Sequence, residues 1–407
     1  MFVEEVYISG IVFFMKRRFK YRDLLVKKDP LLLIFPILNF KGNNMRFTRM
    51  IVTASIVLGA CFNFSFNEKP TQCFESTIPV LDMNDFYNPE TKQLFVDQLA
   101  KAMHEVGFFA VIHPNISGET LLNAYEASKT FFDHSTEEKS EIFKASINGQ
   151  RGYVPSEIPQ GRKEKDLKEF LHVGRSQNLW PSWMELQSPL ENLITALDVP
   201  SNDLQKAFAL ALGESEDYFI RMTESGECLL RSLHYPAGPV PGTVWAGQHT
   251  DIDFFTILPM STEEGLQVFH QGRWIDVKVP PEAFIVNCGD KLQNLTNGYF
   301  KSSLHRVEAK ANTERYSIVY FVHPRDEDSM NPTARSIEMT GGIQNYPNAS
   351  SLELLASRLR EIGLASPNLL ELEKKSGILE RIKDLVDRGV AADPVQKTYS
   401  IWESTQK

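Results

Sequence analysis

Cysteine is scarce in this 407-residue chain: Cys61, Cys73, Cys228 and Cys288 stand singly, with no CxxC pair. So thin a supply leaves no dense disulfide framework and fits a reducing compartment or indifference to redox. Apolar runs of the roughly 18–20 residues needed to span a bilayer are also missing, and Pro36 interrupts the longest early run. Basic charge is short beyond the front of the chain: residues 75–407 carry 32 Lys and Arg against 47 Asp and Glu. An acidic body of that kind argues against nucleic acid as a partner, because phosphate binding needs a basic surface. No internal repeat is present, and with 42% apolar and 23% charged residues the composition excludes a disordered or collagenous chain.

Residues 1–74 have a different texture, with 11 Lys and Arg against 5 Asp and Glu and with 11 of the 27 phenylalanines. They read as a leader outside the fold, disordered or loosely docked. From Met45, MRFTRMIVTASIVLGAC has the basic start, apolar stretch and small residues of a secretory signal. Its end also resembles a lipoprotein cleavage box, in which Cys61 would carry the lipid. The expectation is therefore a cytoplasmic protein, with export or lipid anchoring through Cys61 as the alternative if translation starts at Met45.

From Ile78 the pattern becomes regular. Ile78–Asp82 reads as a short strand. Leu94, Leu99, Met103 and Val106 recur at helical spacing before Gly107, Phe108–Ile112 reads as a strand, and Ser117 can cap a further helix. Residues 75–200 thus form an α/β cap, whose part from 145 to 200 reads as long irregular connections. A helix is expected from about Asp203 to Thr223. Residues 201–325 then alternate short β-branched and aromatic runs with Gly, Pro and Asn, as a sandwich or barrel does, and Gly272 is placed to turn a hairpin. Residues 326–407 read as a helical extension packed outside. The fold class is mainly β with flanking helices.

Within QHTDIDFF, His249 and Asp251 share one face of a strand of period two. His305, 54 positions after Asp251, returns to the same mouth after two or three hairpin strands. Two imidazoles and a carboxylate form the facial set suited to Fe(II), with positions left open for other ligands. A lone strand histidine is more often a core or surface residue, and three such ligands do not by themselves separate iron from zinc. Asp253 faces the same side, but Asp251 is the better ligand because its shorter separation from His249 lets both reach one ion. Arg315 and Ser317 share a later strand face, and an inward arginine on a barrel wall implies an anion such as a carboxylate. The competing reading pairs Arg315 with Glu308 or Glu314 at the surface.

Together these residues resemble the isopenicillin N synthase-like family of Fe(II)/2-oxoglutarate dioxygenases. The resemblance runs over about residues 77–325. It rests on HTD at 249–251, GLQV at 265–268, Trp274, the block FIVNCGDKLQNLTNGYFKSSLHRV at 284–307 and RYS at 315–317, with IPVLD, GFFAV, FFDHSTEEK and GYVP in the front half. It implies a double-stranded β-helix core of jelly-roll, cupin-like form. It implies His249, Asp251 and His305 as iron ligands, and Arg315, Ser317 and Tyr235 as contacts of 2-oxoglutarate, with Leu233 departing from the family's asparagine.

The implied activity is oxidation, by hydroxylation or desaturation, of a small-molecule substrate with O2, releasing succinate and CO2. An isopenicillin N synthase-type oxidase working without 2-oxoglutarate, and a non-catalytic β-helix binding protein, are the alternatives. Arg151, Arg162 and Arg175 are the arginines placed to meet an acidic substrate, with surface solvation as their competing role.

Overall fold

The computed structural model describes residues 76–144, 150–156, 165–238, 240–363 and 365–405, together with the backbone of four strands before residue 52. The chain divides into two units, Met1–Thr71 and Gln72–Lys407. In the first, β1 (Val3–Ile8) pairs antiparallel with β2 (Ile11–Lys16), and β3 (Ile34–Leu38) with β4 (Phe47–Ile51). The signal-like reading that ends at Cys61 lies outside the described residues.

The second unit opens with β5 (Val80–Asp82), the one-turn α1 (Met83–Tyr87), α2 (Lys92–Glu105), β6 (Phe108–Ile112) and α3 (Gly118–Phe132). As expected, Ser117 caps α3 by accepting the amide of Glu119. A capping box then starts the short α4 (Thr136–Lys139), in which Ser135 and Glu138 exchange side chain to backbone bonds. The stretch expected to be irregular instead holds β7 (Gly152–Val154) and β8 (Glu169–Gly174), which pair with each other, and the start of the long α5 (Gln187–Ala211).

The helix expected over Asp203–Thr223 therefore starts earlier and stops earlier. Pro200 sits inside α5, where a proline costs about 3 kcal/mol through its lost amide and ring clash. Buried Leu190, Leu193, Leu197, Leu204 and Phe208 line the face that offsets this cost. The helix ends where the Glu214 amide reaches back to the Ala209 carbonyl, and α6 (Tyr218–Thr223) is a separate turn.

Eight further strands follow: β9 (Leu229–Tyr235), β10 (Val244–His249), β11 (Phe255–Ser261), β12 (Leu266–His270), β13 (Arg273–Asp276), β14 (Phe284–Cys288), β15 (His305–Glu308) and β16 (Arg315–Val322). A short α7 (Asp290–Leu295) separates β14 from β15. Gln271 and Gly272, both at positive φ, turn β12 into β13, so the expected hairpin is present.

The strands form an eight-stranded sheet, β5-β6-β14-β11-β16-β9-β8-β7, and a four-stranded sheet, β10-β15-β12-β13. Their facing sides share one core, in which Phe170, Leu233 and Ile285 of the large sheet meet Trp245, Val268 and Val307 of the small one. The other face of the large sheet, with Ile257, Val286 and Tyr320, packs on α2, α3 and α5. This is the expected double-stranded β-helix, and the cap strands β5–β8 belong to the same sheet as the barrel strands.

Beyond β16 come α8 (Ala334–Met339), α9 (Ser351–Glu361), α10 (Pro367–Ser376), α11 (Ile378–Asp387) and α12 (Asp393–Thr405). Ile378, Ile382, Leu385 and Val395 give this extension a core of its own. It does more than pack outside: Arg358 of α9 donates to the hydroxyl of Thr250, between His249 and Asp251. Among the described residues no helix is long and apolar enough to cross a membrane.

Candidate metal centre

His249 closes β10 and His305 opens β15, and the antiparallel register sets the two residues opposite each other. Their rings lie 4.3 Å apart, centroid to centroid. Asp251, two residues past the strand, turns back so that its Oδ1 is 3.7 Å from the Nε2 of both histidines. One ligand atom from each of the three lies within 4.8 Å of the others. Ligands at right angles about an ion 2.1 Å away stand about 3 Å apart, so a small inward movement closes this set on a metal.

Each candidate ligand is aimed by a neighbour. His249 Nδ1 lies 2.8 Å from the Gly247 carbonyl and His305 Nδ1 lies 3.2 Å from that of Ser303. Each imidazole thereby keeps its proton on Nδ1 and presents the Nε2 lone pair to the common point. The Oδ2 of Asp251 accepts from Thr256 at 2.6 Å and from Asn287 at 2.9 Å, which leaves Oδ1 for the ion.

Burial, and next the neighbouring His305, push the His249 pKa down to about 3. For Asp251, burial pushes upward, but the two imidazoles and the Thr256 and Asn287 bonds outweigh it and hold the carboxyl at about 2. A neutral imidazole and an ionised carboxylate are the forms that bind a metal. Asp253 is different: fully buried, it is pushed well above the usual carboxylate range by burial and by Asp251, and its Oδ1 has no hydrogen-bond partner. It meets Thr256 through Oδ2 and stays outside the candidate ligand set.

The triad lines a cavity of about 60 Å³, whose walls also carry Arg315, Ser317 and Tyr235. Register places Arg315 opposite Tyr235 and Ser317 opposite Leu233. Arg315 is 1% exposed and sits 5.0 Å from the Tyr235 ring centroid, with Nε donating to the Glu263 carbonyl at 3.0 Å and Nη1 unpartnered. The surface pairing with Glu308 or Glu314 does not form. A buried guanidinium nitrogen without a partner calls for an anion, and a carboxylate matches its fork.

Sequence reasoning missed Thr256 and Asn287, which hold Asp251, and Lys168 and Arg231, which line the same cavity. The period-two spacing of Arg231, Leu233 and Tyr235 was the available signal for Arg231. Of the arginines considered for an acidic substrate, Arg151 pairs with Glu227, and Arg175 with Asp198 at 2.8 Å. Arg162 lies outside the described residues.

Comparison with known proteins adds independent findings. Residues 226–324 match the family model described as the 2OG-Fe(II) oxygenase superfamily, and residues 78–191 match that of the non-haem dioxygenase in morphine synthesis N-terminal region. A 2-oxoglutarate-Fe(II) type oxidoreductase of Aspergillus fumigatus is 30% identical over 311 residues, which is 69% of this chain and 92% of the relative. Gibberellin 20 oxidase 1 of Arabidopsis thaliana is 28% identical over 299 residues, 69% of this chain and 79% of the relative. Among solved structures, a 2OG-Fe(II) oxygenase family protein from Caulobacter crescentus superposes with a TM-score of 0.65 at 28% identity, covering 71% of this chain and all of its own (100%). A full-length Neurospora crassa protein in complex with alpha-KG gives a TM-score of 0.64 at 26% identity, covering 70% of this chain and 96% of its own.

Proposed function

Because the chain belongs to the 2OG-Fe(II) oxygenase superfamily, we propose that His249, Asp251 and His305 hold its Fe(II) and that Arg315, Ser317 and Tyr235 hold its 2-oxoglutarate. The enzyme is a 2-oxoglutarate-dependent dioxygenase. What supports the residue assignment is one arrangement: two imidazoles spend Nδ1 on backbone carbonyls and turn Nε2 toward the one oxygen of Asp251 that Thr256 and Asn287 leave free. When bound there, Fe(II) supplies open positions at which 2-oxoglutarate and O2 meet beside the substrate, coupling decarboxylation to succinate and CO2 with oxidation of a substrate C–H bond.

The residues of the chain do the rest. Arg315 gives the distal carboxylate a charged fork held by the Glu263 carbonyl and the Tyr235 face, and buried Ser317 stands on the same strand face. Leu233, Leu258, Leu266, Val307 and Val319 line the walls between, excluding water from the reacting groups. Reduced iron and 2-oxoglutarate are cytosolic supplies, so the reaction is placed in the cytoplasm, in keeping with the free thiols of Cys228 and Cys288.

The test is an anaerobic titration with Fe(II) and 2-oxoglutarate, followed by release of labelled succinate once a substrate and oxygen are admitted. His249→Ala is expected to abolish iron binding, and Arg315→Gln to weaken 2-oxoglutarate binding roughly 30-fold or more. Turnover without succinate would assign the chain to oxidases of the isopenicillin N synthase type, and binding of neither would end the assignment.

A further inference from the structure

The C-terminal extension meets the loop between His249 and Asp251 through one side chain. Its helix α9 starts at a capping box, in which Ser350 and Glu353 exchange side chain to backbone bonds. Ser351, the first residue of the helix, is buried and accepts from Lys291 Nζ of α7 at 2.8 Å, which fixes the base of α9 against the barrel. Arg358 follows about two turns later and so shares that face of the helix.

Arg358 Nη2 donates to the Thr250 hydroxyl and, at 3.3 Å, to the Thr250 carbonyl, and lies 3.4 Å from Oδ2 of Asp290. The Thr250 hydroxyl in turn donates to the same Oδ2 at 3.1 Å. With one bond accepted and its proton donated, that hydroxyl has a single orientation. The Asp290 amide donates to the Asp251 carbonyl at 2.8 Å, so two consecutive carbonyls of the loop are held. Arg358 is fixed from behind: Nη1 donates to Glu361 Oε2 at 3.2 Å, and Glu361 accepts from Thr398 of α12. A planar guanidinium can reach several acceptors at once in this way.

Packing does not supply the same restraint. Beside these bonds a cavity of about 450 Å³ opens between the extension, with Leu354 and Ile382, and the barrel, with Ile252 and Leu304. A void leaves the atoms that line it without partners on one side, so apolar contact there transmits little. Thr250 and Arg358 line this cavity, and neither lines the one around the triad. Arg358 therefore acts on the loop and not on the substrate space.

Resting on the assignment of iron to His249, Asp251 and His305 above, we infer that Arg358 is a positioning residue of the metal centre. Through Thr250 and Asp290 it sets where the loop places His249 and Asp251, which makes the C-terminal extension part of what holds the iron. Without the guanidinium the barrel keeps its fold, but Asp251 leaves the common point of the two imidazoles more often.

The experiment begins with anaerobic Fe(II) titration of the whole protein. A wild type that binds no Fe(II) overturns the functional reading and this inference with it. Arg358→Met is expected to weaken Fe(II) binding about 10-fold, and Arg358→Lys to recover at least threefold of that loss. Thr250→Val, at the other end of the contact, is expected to weaken Fe(II) to a similar degree. The double variant is expected to bind no more than threefold more weakly than the worse single one, because both act through one contact.

Arg360→Met is the control for general damage to the extension. Arg360 Nε donates to Glu373 of α10 at 3.0 Å, within the extension. Its loss is expected to lower the melting temperature while the Fe(II) Kd stays within threefold of wild type. The visible absorption of bound Co(II), which follows ligand geometry, is expected to shift in Arg358→Met and to stay unchanged in Arg360→Met. The inference is overturned if Arg358→Met keeps the Fe(II) Kd within threefold or the Co(II) spectrum unchanged. It is also overturned if Arg360→Met weakens Fe(II) as much as Arg358→Met, or if the losses of Thr250→Val and Arg358→Met multiply.

Discussion

Thr256 gives its hydroxyl proton to Oδ2 of Asp251 at 2.6 Å, and the same Oγ1 lies 3.0 Å from the carboxyl of Asp253. One hydroxyl has one proton to donate. Burial and Asp251 push the Asp253 carboxyl well above the usual carboxylate range, so the shorter bond goes to the ionised Asp251. Thr256→Val removes that bond. Ferrous affinity is expected to fall about 10- to 100-fold, read by anaerobic titration with 2-oxoglutarate present. An unchanged iron Kd would show that Asn287 alone positions Asp251.

Gly289 is the second support of that loop. Its amide donates to the Phe254 carbonyl at 2.8 Å, and the next amide, of Asp290, donates to the Asp251 carbonyl at 2.8 Å. A Cβ at Gly289 would stand 2.1 Å from Oδ1 and 2.2 Å from the carbonyl oxygen of Asp253. Gly289→Ala must push the ligand loop away from α7. The expected result is a loss of about 1–3 kcal/mol of stability in thermal melts together with weaker iron binding. Asp253→Asn keeps the side-chain shape at a position outside the candidate ligand set, and its iron Kd is expected to stay within threefold of wild type.

The proposed ligands His249 and Asp251 and the proposed clamp of Arg315 and Ser317 could be named from the sequence because each pair lies two residues apart on a strand, while His305 and the roles of all five came from the resemblance of the surrounding blocks. α5 was misplaced because Pro200 reads locally as a breaker, while the apolar face that outweighs it contacts segments distant in sequence. Arg151 and Arg175 looked available because their partners, Glu227 and Asp198, are far along the chain. Arg231 was overlooked for the converse reason: its aromatic flanks, Phe170 and Phe321, come from two other strands and meet only in the folded sheet.

Glu169 of β8 joins cap to barrel. Its carboxylate accepts from Lys139 at 2.8 Å and from Tyr153 at 2.5 Å, and lies 2.8 Å from His234 Nδ1. Burial pushes its pKa up, but the bonds from His234, Lys139 and Tyr153 outweigh it and bring it from an ordinary 4.5 to about 2. A carboxyl depressed on folding stabilises the native state above its unfolded pKa and loses that contribution as pH falls toward the folded one. The contribution is about 3 kcal/mol at neutral pH. Denaturant unfolding is expected to show Glu169→Gln less stable than wild type at pH 7, with the gap closing between pH 5 and pH 2. A gap independent of pH would mean that packing, not ionisation, makes the joint.

Arg315 separates stability from function. Its Nη1 is buried without a partner, so the ligand-free protein holds a charge whose compensation is incomplete. Replacing such a group by an apolar side chain of similar length is often neutral or stabilising. Arg315→Met is therefore expected to melt no lower than wild type without 2-oxoglutarate. With Mn(II) as an inert metal, the wild type should gain about 2.7 kcal/mol at a cosubstrate concentration of 100 Kd. Arg315→Met should gain about 0.9 kcal/mol or less at the same concentration, because losing one partner of a buried charge pair costs about 2 kcal/mol or more, roughly 30-fold in affinity. Arg315→Lys restores the charge but not the bidentate fork, so part of the gain should return. If Arg315→Met instead lowered the ligand-free melting temperature and kept the full response to 2-oxoglutarate, Arg315 would be a structural residue and the cosubstrate carboxylate would have to be held elsewhere.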